Sequence, residues 1–151
     1  MNLFRFVLVF TTVFSLNTAL AQDQEAAIKT VINQFFEGME TGDSTLLRSS
    51  CTETPLLQTI APDQTGGLQV RTEDFEAFVR FVCTPSANKI DEQIEFAAIH
   101  FETRLASVWT PYRFYLNGQL RHCGTNSFQL VDTGAGWKIQ YIIDTRRRDC
   151  D

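Results

Sequence analysis

YRFYLNGQLRHCGTNSFQLVDTGAGWKIQYIIDTR, residues 112–146 of the chain, is the stretch that decides the fold. Two runs rich in β-branched and aromatic residues flank Asn117-Gly118, a dipeptide suited to a two-residue hairpin turn, and a third run follows the glycine-rich break from Asp132 to Gly136. The local expectation is therefore a β-meander. In a strand successive side chains alternate between faces, so a slip of one residue would turn every side chain over. Pairing Leu130 with Trp137 gives the last hairpin one apolar and one polar face at its outer end. This register sets Phe128 against Ile139, Asn126 against Tyr141, Gly124 against Ile143 and His122 against Thr145, and sends Asp144 to the outer face.

In this register His122 and Asn126 lie on the inner face. Buried polar groups need partners, at about 1 to 3 kcal/mol for each one left unsatisfied. Either the two satisfy each other or they line a wet or ligand-bearing cavity, and Gly124 beside them leaves room for something to approach. The same face extends through the Asn117-Gly118 turn, with Tyr115 opposite Leu120, Arg113 opposite His122 and Trp109 opposite Asn126. Val108, Tyr112, Phe114 and Leu116 then form an outer apolar stripe. Exposed, such a stripe is a homodimer surface; with the faces reversed it is a second core layer. Pro111 interrupts the long strand Leu105 to Leu116 and marks a bulge or an edge.

Working back towards the N-terminus, the period changes from two to helical. Ile94, Phe96 and Ala98 alternate along an extended segment that begins near Ile90. Phe75, Phe78, Val79 and Val82 form the apolar face of a helix that Thr72 would cap and Pro85 would end. Pro55 to Ile60 and Leu68 to Arg71 are short strands around a Pro- and Gly-containing turn. Asp23 to Thr41 carries apolar residues at three- and four-residue spacing, from Ile28 to Met39. Gly42 stops this helix, and Asp43 or Ser44 caps a short one carrying Leu46 and Leu47. Helices followed by an antiparallel meander predict an α+β domain with the helices on one face of the sheet.

The first 21 residues stand apart. One positive charge precedes the uncharged apolar run Phe6 to Leu16, and Ala19-Leu20-Ala21 follows, as in a secretory signal peptide with its cleavage site. The run is shorter than the roughly 20 residues of a membrane span, so no stable membrane anchor is expected. Residues 22–151 are sized for one exported domain, periplasmic or secreted. Arg5 is the only charge removed with the leader, which leaves 12 basic against 18 acidic residues and a net charge of −6. That balance excludes nucleic acid as a partner. Arg146, Arg147 and Arg148 read as a solvated strand end. Cys51, Cys83, Cys123 and Cys150 would allow two disulfides in three connectivities, or four reduced thiols; their spacing fits no zinc pattern and no metal site is expected. With no glycine-rich phosphate loop or nucleophile elbow either, no cofactor is expected.

Ala27-Ile28 to Phe35-Phe36 with Gly42-Asp43, Trp109-Thr110-Pro111-Tyr112, His122-Cys123-Gly124 and Gly136-Trp137-Lys138-Ile139, in that order, resemble the lumazine-binding family of the nuclear transport factor 2-like (SnoaL-like) superfamily. The resemblance spans nearly all of residues 22–151. It implies a cone in which helices close over a strongly curved antiparallel sheet around a cavity. Superfamily members include isomerases and dehydratases that move a proton with a buried Asp or His, and also non-catalytic modules. Three functions follow. The favoured one is an exported domain binding a small hydrophobic or aromatic molecule through Trp109, Arg113, Tyr115, His122, Asn126 and Tyr141. The second is a proton-transfer enzyme with His122 as its catalytic group, weakened by the lack of an inward carboxylate. The third is a module that homodimerises through Val108, Tyr112, Phe114 and Leu116.

Overall fold

A computed structural model describes residues 3–85 and 88–150, with side chains from Ala21 onward. The signal-peptide reading of residues 1–21 thus rests on side chains that, up to residue 20, lie outside the described residues. Among the described residues no helix is long and apolar enough to cross a membrane.

Helix α1 spans Leu3–Thr41, and its predicted stripe buries Ile28, Ile32, Phe35 and Met39. Gly42 ends it in the left-handed region, φ +69°, where a side chain would be strained. Asp43 then caps α2, Ser44–Ser49, by accepting the backbone N–H groups of Thr45 and Leu46 at 2.9 and 3.0 Å. Strands β1, Cys51–Pro62, and β2, Leu68–Glu73, follow. Helix α3, Phe75–Cys83, is capped by Asp74 rather than by Thr72, because β2 keeps residues 72 and 73 extended in its ladder with β1. It buries Val79 and Val82 and leaves Phe81 77% exposed.

Strands β3, Ile90–Ile94, and β4, Ala98–Glu102, both pair with β5, Leu105–Leu116; β6, Gln119–Asp132, and β7, Trp137–Arg147, complete a curved seven-stranded sheet in the order β2-β1-β7-β6-β5-β3, with β4 also on β5. All pairs are antiparallel except β1 with β7, which is parallel and breaks the wholly antiparallel expectation. The ladder runs through Pro111 opposite Thr125 without the expected bulge. The break between β3 and β4 lies beside Pro111, whose carbonyl accepts from Glu95 N–H at 3.0 Å and which has no N–H to return.

Two bulges correct the expected faces. The β6–β7 hairpin pairs Leu130 with Ile139, then inserts Gln140, so Phe128 meets Ile142 and Asn126 meets Asp144. Ile142 and Asp144 thereby turn inward, and Tyr141 leaves the inner face. At the other end the Asn117-Gly118 turn forms as predicted, with both residues at positive φ and Tyr115 opposite Leu120. Arg121 is then the extra residue, and Phe114 meets His122, Tyr112 meets Gly124 and Thr110 meets Asn126. Opposing two residues to one reverses the parity of everything beyond. The stripe assigned to a homodimer surface is therefore internal: Val108 and Tyr112 are 2% and 4% exposed, Phe114 lines a cavity, and Leu116 is half-buried at the strand end.

The core lies between the helices and the inner sheet face, where Phe35 stacks on Phe78 and meets Phe128 edge-on. Of the cysteine alternatives neither extreme holds: Cys123 is bonded to Cys150, while Cys51 and Cys83 are free thiols. Burial pushes the Cys51 thiol up to about 11.

Candidate functional site

Helices α1 and α3 do not seal the inner sheet face at the end where β3, β5, β6 and β7 carry their polar residues. A cavity of about 600 Å³ remains, within the range usual for small-molecule sites. One wall, supplied by the helices, is apolar, with Phe35, Phe36, Phe78 and Val82, and Phe128 and Ile142 extend the apolar lining onto the sheet. The other is polar, with Glu92 from β3, Tyr112 and Phe114 from β5, His122 and Asn126 from β6, Asp144 and Arg146 from β7, and Thr59 from β1. Glu73, Asp74 and the exposed Phe81 also line it.

Asp144 is the hub of the polar wall. One carboxylate oxygen accepts the Thr59 hydroxyl; the other accepts the Tyr112 hydroxyl at 3.1 Å and Arg146 Nε–H at 2.9 Å. Arg146 also donates from Nη2 to the Thr59 hydroxyl at 3.0 Å, and the Tyr112 hydroxyl has a second acceptor in the Thr145 carbonyl at 3.0 Å. That last contact needs Gly124: a Cβ there would stand 1.8 Å from the Thr145 carbonyl oxygen and 2.9 Å from the Tyr112 ring. The glycine read as room for a ligand makes room for the chain itself. Burial pushes the Tyr112 hydroxyl far up, and the charges of Asp144 and Glu92 push it further, so it remains a donor. Burial also works against the charge on Arg146, but its hydrogen bond and charge pairing with Asp144 outweigh this and hold it protonated.

Glu92 is the second inward carboxylate. One oxygen accepts Asn126 Nδ2–H at 3.0 Å; the other has no hydrogen-bond partner among the described residues. Surrounded by protein though still touched by the cavity, its carboxyl is pushed up to about 7 by burial, which the Asn126 hydrogen bond partly offsets and the charge of Asp144 reinforces. His122 stacks on Phe114, centroids 4.6 Å apart, and meets Tyr112 edge-on. Burial and then the charge of Arg146 lower its pKa, which keeps the imidazole neutral. Such a wall can donate, accept and exchange protons near neutral pH.

Of the residues predicted for the site, His122 and Asn126 line the cavity. Trp109 and Arg113 do not: the bulge at Arg121 sends both to the outer face, where Trp109 is 50% exposed. Tyr115 leaves for the same reason, and Tyr141, turned out by the bulge at Gln140, donates to Gln58 Oε1 at 2.7 Å. Arg146, read as a solvated strand end, reaches the cavity and is 40% exposed. Glu92 and Asp144 were missed, and the absence of an inward carboxylate expected from the sequence is corrected. For Glu92 a signal existed, since Ile90, Glu92 and Ile94 share one strand face and an acid between isoleucines on an inner face is anomalous.

No protein-family model and no curated protein matches the sequence. Solved structures do match in fold. A protein of unknown function from Shewanella baltica, described as NTF2-like, aligns with a TM-score of 0.65 at 16% identity over 84% of this chain and 96% of its own. A conserved protein from Planctomyces limnophilus gives 0.67 at 18% identity over 83% and 98%. A protein of the NTF2-like family from Streptomyces avermitilis, proposed to be a dehydratase, gives 0.60 at 15% identity over 84% and 98%. Three helices on a curved, mostly antiparallel sheet, together with these alignments, show that the chain has the nuclear transport factor 2-like fold.

Proposed function

We propose that the protein is an exported domain that binds a small, largely apolar molecule in this cavity. The observation that carries the reading is an aromatic-walled space of about 600 Å³ whose polar wall holds a carboxylate oxygen and an imidazole without hydrogen-bond partners among the described residues. Both face the cavity, where a polar group of a bound molecule can meet them. The resemblance to the lumazine-binding family supports a flat conjugated ring system as the apolar part of the ligand. Export is supported by the leader-like residues 1–21 and by the Cys123–Cys150 bond, a feature of oxidising compartments. Native mass spectrometry of the protein as recovered from producing cells tests both parts. A chain beginning at Gln22 with a retained small molecule at one per protomer is expected; a chain that retains no molecule and takes up none from a panel of flat aromatic compounds would overturn the binding reading.

One observation favours a second reading, proton transfer to the bound molecule. Glu92, rather than His122, has its carboxyl pushed up to about 7 within reach of the cavity, the condition for a general acid or base near neutral pH. Under this reading Glu92→Gln abolishes turnover even with the site saturated by substrate, and unchanged turnover would remove it.

A further inference from the structure

The cavity's charges are unequal. Glu73, Asp74, Glu92 and Asp144 line it against one guanidinium, that of Arg146. Arg146 is already committed: it donates to Asp144 and to Thr59, and lies 4.0 Å from Glu73. Its charge is therefore answered by two carboxylates before any ligand enters. His122 adds no positive charge, since burial and Arg146 keep it neutral. Asp144, with three donors on its two oxygens, has little left to offer. The second oxygen of Glu92 and the side-chain oxygen of Asn126, whose nitrogen is already donating to Glu92, are adjoining acceptors without partners among the described residues; the unengaged donors, an N–H of neutral His122 and Nη1 of Arg146, belong to other side chains of the wall.

The rings complete the pattern. Phe114 and Tyr112 stand beside these acceptors on the sheet, Phe128 follows Asn126 on the same face of β6, and the helices add Phe35, Phe36 and Phe78. Ring faces carry partial negative charge and attract cations, most strongly where water is excluded. We propose that the ligand is a protonated arylalkylamine, with its ammonium between Glu92 and Asn126 and its ring system against Phe36, Phe78 and Phe128. The amine brings donors to the adjoining oxygens of Glu92 and Asn126 and gives the unpaired oxygen of Glu92 a charged partner. An anion would meet the opposite situation, with its counter-charge on Arg146 already shared and three other carboxylates around it.

This inference rests on the cavity being a small-molecule site, and the experiment separates the two ideas. Three probes with one ring system, naphthylethylamine, naphthylethanol and naphthylacetate, are titrated calorimetrically into the full-length mature protein above neutral pH. The amine is expected to bind about tenfold more tightly than the alcohol, and the carboxylate more weakly than either. In Glu92→Gln, whose folding is checked by its thermal transition, the amine should lose its tenfold advantage over the alcohol. Equal affinity for all three, or tightest binding of the carboxylate, overturns the charge preference and leaves the cavity reading standing. Binding of none of them overturns both.

Discussion

Near the Thr133–Gly136 turn the inner sheet face carries Ala106, Leu130, Trp137 and Ile139, none more than 4% exposed, packed in the core with α1 and α2. Past the bulge at Gln140 the same face, on the same strands, carries Asp144 and Arg146 beside His122 and Glu92, and the helices leave a cavity over it. The sheet is continuous between the two regions, so the difference is one of parity. A regular ladder keeps the aliphatic members of an alternating sequence inside; one inserted residue brings their polar neighbours in. The closed end maximises apolar burial. The open end gives some of that up to hold two carboxylates, and their mutual repulsion is limited by Arg146 and by the protonation of Glu92.

If the two ends divide stability and binding in this way, substitutions should separate them. The largest effect is expected at the closed end. Ile139→Ala should lower the unfolding free energy by about 4 kcal/mol in urea denaturation and leave ligand affinity unchanged; a cost below about 1 kcal/mol would mean that this end is not the structural anchor. Glu92→Gln should act in the opposite sense and depend on pH. The folded carboxyl is raised from 4.5 to about 7, so its favourable contribution is complete below the lower value and lost as pH rises through the upper one. The Gln variant should therefore gain on the native protein across that window, by no more than about 3 kcal/mol at its upper end, and a difference independent of pH would refute the raised pKa. The smallest effect is expected from Thr59→Val, which removes the hydroxyl shared by Asp144 and Arg146. A loss of about 1.5 kcal/mol is expected, with ligand affinity falling because Arg146 is released. Unchanged affinity would place the Asp144 hub outside the binding wall.

The closed end was legible in the sequence and the open end only in part. Leu130, Trp137 and Ile139 fall on the inner face under any register that keeps their alternation, and the Asn117-Gly118 turn and the Asp43 cap are local chemistry that sequence states directly. Asp144 was not legible because Ile142 and Ile143 are adjacent apolar residues: without the bulge Ile143 faces in and Asp144 out, and with it the reverse. Hydrophobic alternation cannot choose between the two. The same ambiguity at Arg121 carried Trp109 and Arg113 to the wrong face. The pairing of β1 with β7, which supplies Thr59 to the hub, joins distant parts of the chain and has no local signature at all.

That one parallel pair also dictates when the hub is complete. The β5–β6 and β6–β7 hairpins close through turns of a few residues, and such short loops form early because little chain entropy is lost in closing them. Thr59 and Asp144, directly opposite each other in β1 and β7, are 85 residues apart. The hub is therefore completed by the most entropically demanding closure in the sheet. The Arg146–Asp144 and Tyr112–Asp144 bonds lie within β5 and β7, but the hydroxyl that ties Asp144 and Arg146 together arrives only when the first strand docks beside the last.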